Sequence, residues 1–301
     1  MDFTKAITIS TGTATSAYLN LNSITAAPAA STPFSGYIVE SLTYSRAQVA
    51  GFVDPLAQRD GVDTDIATLP QRQTAMIVQV YGSTQADFYD KLNDLNEAFQ
   101  PYPDWASLTD GFRSLKFSQP TGVAAYSAIG IPLQIGVRPL ALPDYTLHND
   151  ITKPRTSDRG VTTRATVQLM SRDPRKISQT TTTSTIALSS GSATSTFTHN
   201  GNYYAYPTFT IVTALTTAAT LTISSDIFTA SLSIGTGSNT TILDTDARTV
   251  TVNGTLTMST VKSATTKLPY IDEGVNTIYY AFTGGGPYPA SIKMTYQEAW
   301  I

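Results

Sequence analysis

The sequence predicts a mainly β protein in two parts: an N-terminal β-sheet or sandwich with one packed α-helix, then a C-terminal antiparallel β-sandwich. Three observations carry that prediction. Up to Ser178, several runs alternate with the two-residue period of a strand, and one run keeps the 3.6-residue period of a helix. Beyond it, short runs alternate apolar residues with Thr or Ser at near-regular spacing. Charge is also unevenly spread: Lys and Arg number 15 up to Ser178 and 4 after it, Asp and Glu 16 and 6. The boundary is placed near Ser178, giving domains of residues 1–178 and 179–301.

The first domain opens its strand candidates with YIVESLTYS from Tyr37. In MIVQVYG (76–82), Met76, Val78 and Val80 fall on one side of a strand and Ile77, Gln79 and Tyr81 on the other, so both faces are covered. A helix follows at once. In STQADFYDKLNDLNEAFQP, Thr84 and Asp87 make a capping pair, and Phe88, Leu92, Leu95 and Phe99 recur on one face before Pro101 ends the element. That stripe should lie on a sheet. SLKFSQP from Ser114, IPLQIGVRPL from Ile131 and RATVQLMSRDP from Arg164 supply further strands between Pro- and Gly-containing turns. Two long polar connections, 50–72 and 142–164, interrupt the unit, and loops of that length in a compact domain usually bind or assemble with something.

Between the domains, QTTTTSTIALSSGSATSTFTHNG (179–201) reads as a linker, an extended edge strand, or both. YPTFTIV, TLTIS, ASLSIG, RTVTV, TLTMS, NTIYYAF and SIKMTYQEAW then alternate as strands with one buried face. Thr suits the exposed face because its branched carbon favours extended backbone while its hydroxyl tolerates water. In DTDARTVTVNG (244–254), Asn253-Gly254 can take the positive φ angles of a type I′ turn and join two strands into a hairpin. Asp244 and Asp246 then sit in the preceding turn, capping backbone N–H groups.

Composition narrows the function. With 301 residues, 41% hydrophobic and 14% charged, the chain can supply a core for each domain. The absence of cysteine excludes a disulfide framework, a thiol nucleophile and thiolate metal sites. A net charge of -3 gives no bulk attraction to nucleic acid or an anionic membrane. MDFTKAITIS lacks a basic start followed by an apolar stretch, and no apolar run is long enough to span a bilayer, so a soluble chain made in the cytoplasm is expected.

Reactive readings are weaker than plain ones. Asp60, Asp63 and Asp65, or Asp244 and Asp246, offer oxygen ligands without the glycine and distal glutamate of a calcium loop, and solvated turns explain them better. His148 and His199 share no ligand spacing and read as ordinary loop residues. Ser259 and Lys262 match Ser-x-x-Lys without its companion motifs, and GGGP from Gly284 lacks the tail of a phosphate loop. No catalytic, cofactor-binding or metal residue is assigned.

Two surfaces remain. From Lys153 to Lys176, seven basic residues face two acidic ones, a local charge of +5. That is a solvated face balanced by the acidic 54–65 stretch, an electrostatic subunit contact, or a lining that tolerates passing DNA; the subunit contact is the favoured reading, with Arg164, Arg172, Arg175 and Lys176 as its candidates. Tyr203, Tyr204 and Tyr206, with Tyr279 and Tyr280, either stack against sugar or pack between strands with a polar tip. The first three are the candidate carbohydrate contact.

Three features make the chain resemble the distal tail (Dit) proteins of long-tailed, siphovirus-type bacteriophages. The strand MIVQVYG is followed by the helix TQADFYDKLNDLNEAF, and VQLMSRDPRKIS is similar to the close of the family's first domain. The order YPTFTIV, LTIS, ILDTDARTVTVNG, LPYIDEGVNTIYY, IKMTYQEAW is similar to its galectin-like, jelly-roll-like second domain. The resemblance covers most of the chain. It implies a virion protein of the tail tip: a homo-hexameric ring formed by the first domain, its channel passing DNA as cargo. The second domain would project outward and dock receptor-binding or fibre proteins or touch host-surface carbohydrate. The implied neighbours are the tail tube protein, the tail hub or tail-associated protein and the tape measure protein. The resemblance implies no cofactor, no enzymatic activity and no membrane insertion. The rival readings are a carbohydrate-binding β-sandwich module, another baseplate or minor tail protein, and a hydrolase or depolymerase acting through loop carboxylates.

Overall fold

The structure is a computed structural model that describes residues 7–10, 18–23, 33–44, 50–55, 62–68, 72–100, 112–119, 130–145, 161–171, 173, 175–188, 191–257, 268–284 and 290–301. It is mainly β, with one helix among the described residues and antiparallel pairing between the strands described below. The chain divides into two compact units, Met1–Lys176 and Ile177–Ile301.

The first unit contains β1 (Thr8–Ser10), β2 (Tyr18–Asn20), β3 (Gly36–Tyr44), β4 (Ala50–Pro55), β5 (Val62–Thr68) and β6 (Arg72–Gly82), then α1 (Gln85–Ala98), then β7 (Arg113–Gln119), β8 (Ile131–Pro139), β9 (Asp144–Tyr145) and β10 (Val161–Ser171). The strand order β3-β6-β10-β8-β7-β1-β2 forms one sheet, with β9 also on β10. Its longest ladder joins β6 to β10 from Val161↔Gly82 to Ser171↔Arg72 without a shift. β3 joins β6 through an irregularity between Val39 and Ser41. The alternation read in 76–82 is realised: Met76, Val78 and Val80 are fully buried, Ile77 and Gln79 half-buried.

α1 packs against β6. Phe88, Leu92, Leu95 and Phe99 are 3% exposed or less, so the predicted stripe is the buried face. Burying four side chains of this size contributes about 1.5–3 kcal/mol each. The helix starts on Thr84, whose hydroxyl accepts the Asp87 N–H at 3.2 Å. At its other end the Arg113 guanidinium, on β7, donates to the Ala98 carbonyl at 3.0 Å, placing a cation at the negative end of the helix dipole.

The stretch 50–72 is not only a polar connection: β4 and β5 pair within it as an antiparallel two-stranded sheet. Val62, Thr64, Ile66 and Thr68 alternate as strand residues should, and Asp63 and Asp65 interrupt that signal in the sequence while lying on β5 itself rather than in a turn. Asp60 and residues 146–160 lie outside the described residues.

The second unit is a β-sandwich built from β11 (Lys176–Leu188), β12 (Ser192–His199), β13 (Thr208–Leu215), β14 (Ala219–Ser224), β15 (Thr229–Ile234), β16 (Gly237–Asp244), β17 (Thr249–Val252), β18 (Thr255–Leu256), β19 (Gly274–Thr283) and β20 (Ala290–Trp300). One sheet runs β18-β17-β16-β13-β20-β11 and the other β12-β19-β14-β15. Their inward residues share one core: Phe209, Ile211, Ile292 and Met294 from the first, Leu221, Ile223, Leu232, Ile278 and Tyr280 from the second, each 1% exposed or less. Phe209 and Tyr280 meet across the gap with ring centroids 6.4 Å apart. The Thr/Ser-rich 179–201 stretch resolves into strands: β11 occupies its first part, and β12 forms an edge paired with β19 from Ser192↔Ala281 to His199↔Gly274.

Candidate functional site

The 244–254 stretch closes β16 and opens the β17–β18 hairpin. Asp244 Oδ1 accepts from the Asp246 N–H at 3.1 Å and the Ala247 N–H at 2.9 Å, so its carboxylate is used in holding the turn. Asn253 (φ 51°) and Gly254 (φ 82°) are both left-handed, as a type I′ turn requires. Asn253 also anchors the neighbouring strand, its Oδ1 accepting the Thr240 N–H at 2.9 Å and its Nδ2 donating to Asn239 Oδ1 at 3.0 Å.

Of the four basic candidates, Arg172 lies outside the described residues. Arg164, on β10, is largely exposed and pairs with Glu40 of β3, Nε to Oε1 3.0 Å. An exposed pair of this kind contributes roughly 0–1 kcal/mol and leaves the guanidinium open to further contacts. Arg175 folds onto the carboxylate of Asp173 two residues away, with Nε 2.9 Å from both oxygens. Lys176 is buried and donates to Gln119 Oε1 at 3.1 Å; burial first, and the nearby charge of Arg72 second, hold its pKa below the usual lysine range. Arg164, Arg175 and Lys176 therefore each have a partner within the chain, and of these three Arg164 is the one presented to solvent.

The three tyrosines do come together. Tyr203 and Tyr204 stack with centroids 4.0 Å apart, and the Tyr203 hydroxyl donates to that of Tyr204 at 2.6 Å. Tyr206 meets Tyr204 edge-on at 5.5 Å. Tyr270, which the sequence did not single out, completes the cluster at 5.9 Å from Tyr204 and links it to Phe228. Its only signal was an aromatic in LPYIDEG, far along the chain. The segment is pinned at both ends: Tyr203 N–H donates to Ala299 O, and Ala205 exchanges two hydrogen bonds with Ile271, each 2.9 Å. All three tyrosines are half-buried against one another. Tyr279 and Tyr280 do not join them; on β19 they face opposite ways, Tyr279 47% exposed and Tyr280 buried in the core, where burial raises its phenol pKa.

His199 departs from its reading as a loop residue. It ends β12, is buried, and its Nε2 lies 2.7 Å from the Tyr203 carbonyl. Beside it, buried Glu298 accepts from Asn200 Nδ2 at 2.7 Å, and burial, then the charge of Glu298, push Tyr296 up to about 12. Gly201 sits in this knot with no space for a side chain: a Cβ there would lie 2.1 Å from Ala299 O. His148, Ser259 and Lys262 lie outside the described residues. Among the described residues, no group of three or more His, Asp or Glu is placed to hold a metal, and no helix is long and apolar enough to cross a membrane.

No family model matches the chain, and no curated protein sequence matches it. Solved structures do. The crystal structure of the SPP1 Dit (gp 19.1) protein, a paradigm of the hub adsorption apparatus in phages infecting Gram-positive bacteria, matches over 88% of this chain and 94% of that chain, with a TM-score of 0.55 at 16% identity. The chain shares the fold of SPP1 Dit. A chain of the phage p2 baseplate in its activated conformation with Sr matches at 10% identity over 96% of this chain and 97% of that one, TM-score 0.41. A chain of the Ca form matches at 10% identity over 84% and 90%, TM-score 0.34.

Proposed function

We propose that the chain is a distal tail protein of a long-tailed phage: a structural, non-enzymatic component of the virion that forms a hexameric ring at the end of the tail tube. The observation that carries this reading is the match to SPP1 Dit over both units of the chain, 88% of its length. A likeness confined to the sandwich would be expected of many unrelated binding modules. In this reading the residues 1–178 form the ring and line a channel for DNA, and residues 179–301 face outward as a galectin-like docking platform. The tail tube protein, the tape measure protein and the tail hub or tail-associated protein adjoin the ring, and receptor-binding or fibre proteins attach to the platform.

A closed ring requires two different patches on each copy that meet at a fixed rotation. Arg164 is the best placed of the basic candidates to contribute to one of them, because its guanidinium is largely in solvent. The carbohydrate reading of Tyr203, Tyr204 and Tyr206 is less favoured, since Tyr203 and Tyr204 pack ring against ring and Tyr204 also meets Tyr206 and Tyr270 edge-on. Antibody raised against residues 179–301 and labelled with gold tests the assignment on particles that carry the chain. Gold at the free end of the tail is expected; gold on the head, along the whole tube, or nowhere on the particle contradicts it.

A further inference from the structure

The four strands β12, β19, β14 and β15 contain no Asp, Glu, Lys or Arg, and β15 ends their sheet, pairing with β14 alone. The ladder determines which backbone groups of β15 face outward. Ser225 N–H donates to Phe228 O at 2.9 Å, so these two form a hydrogen-bonded pair at the closed end of the β14–β15 hairpin. Bonded and non-bonded pairs alternate in an antiparallel ladder. Ile223↔Ala230, Leu221↔Leu232 and Ala219↔Ile234 are then bonded, and Ser224↔Thr229, Thr222↔Ser231 and Thr220↔Ser233 are not. The far side of the sheet agrees: the same alternation carried through β14 and β19 turns the Phe282 N–H toward β12, and it donates to Gly191 O at 2.7 Å. Thr229, Ser231 and Ser233 therefore direct their N–H and C=O groups away from β14, and among the described residues no further strand receives them.

Soluble proteins ordinarily blunt such an edge with lysine, proline, a bulge or a covering segment. β15, TASLSI, has neither residue, and its register with β14 runs without a shift. Its inward Ala230, Leu232 and Ile234 are buried, so the strand is anchored by its own core.

We infer that this edge pairs with β15 of a second copy of the chain, antiparallel about a two-fold axis at Ser231. One register uses all three outward residues. With Ser231 opposite its own counterpart, Thr229 faces Ser233 and Ser233 faces Thr229, and every outward N–H and C=O of the three finds an acceptor or donor. A slide of two residues leaves Thr229 opposite the end of the strand. In the matched register Ala230 faces Leu232 on the core side and hydroxyls face hydroxyls on the outer side, so both faces continue across the axis. A charged strand would bring its charge against a sheet that has none to neutralise it. β15 is itself an uncharged alternating segment of the kind the edge accepts. The contact is isologous, whereas a ring is closed by heterologous contacts, so it goes beyond the ring reading and uses a different patch.

Sedimentation velocity of the full chain at rising concentration, with hydrogen exchange read at the Thr229, Ser231 and Ser233 amides, tests the contact. The assembled species is expected to double in mass, ring to paired rings or, should the ring reading fail, single chain to dimer, and the three amides gain protection as it does. Ser231→Pro removes the central outward N–H without touching a bond to β14, and Ser231→Lys sets two ammonium groups opposite each other across the axis. Each weakens the doubling roughly tenfold or more while leaving the number of chains per ring unchanged, and added salt partly restores the lysine variant. No doubling, equal doubling in the wild type and both variants, or protection that appears only when another tail protein is added overturns the proposal.

Discussion

Asp87 serves the start of α1 twice. Its own N–H is taken by Thr84 Oγ1, and its carboxylate reaches back to accept the Ser83 N–H at 2.7 Å and the Ser83 hydroxyl at 2.9 Å. Partial desolvation raises the pKa of this carboxyl, but the hydrogen bonds from Ser83 and Ser35 and the charge of Lys91 together outweigh it, and the net effect is a pKa below the ordinary aspartate value. A carboxylate whose pKa is depressed by folding stabilises the protein above its unfolded value of about 3.9, and that contribution is lost as pH falls through the folded value. Asp87→Asn is therefore expected to flatten the loss of stability below about pH 4, with melting temperatures above pH 6 falling only slightly. An unchanged acid limb contradicts the assignment. The capping role was legible in the sequence, because Ser-Thr-x-x-Asp before an apolar period names its own chemistry. The role of His199 was not: nothing local says that β12 ends in the core beside Tyr203.

Elements announced themselves in proportion to how far their own side chains decide their placement. β6, α1, β8, β10 and β13 to β15 carry an apolar period that a buried face demands, and all were expected. β16 (GSNTTILD) was not among the strands expected, because its first half is polar; pairing with β13 from Leu215↔Gly237 to Thr208↔Asp244 extends it. β4 and β5 were obscured by acidic residues, and the Thr run of 179–201 left linker and strand undivided until β12 had a partner in β19. How α1 docks was also hidden, and Gly82 shows why. A Cβ at that position would lie 2.4 Å from the Phe88 backbone, so the strand and the first turn of the helix touch without room for a methyl group. Gly82→Ala is expected to lower stability by about 1–3 kcal/mol, read in denaturant titrations, as the helix is forced off β6. A variant as stable as the wild type would show that the close approach is dispensable.

In both units of the molecule, the side chains of the described residues are used in packing and turn chemistry more than in any exposed reactive group. Asp244, Asp87 and Arg175 each illustrate it, their charges taken up by backbone or by a neighbouring side chain. The tyrosine cluster was only partly legible, since Tyr270 enters it through the Ala205–Ile271 bridge, a tertiary contact with no local signature. The proposed ring would be a property of several copies, and what a single chain shows is the likeness of its fold to SPP1 Dit. The decisive measurement is the mass of the purified assembly together with negatively stained images of the same sample. Six copies of the 32.2 kDa chain, or twice that number where rings pair, seen face-on as annuli with six-fold symmetry and a central hole, are predicted. A single chain or a lone dimer at high concentration, with no annular particles, would contradict the account.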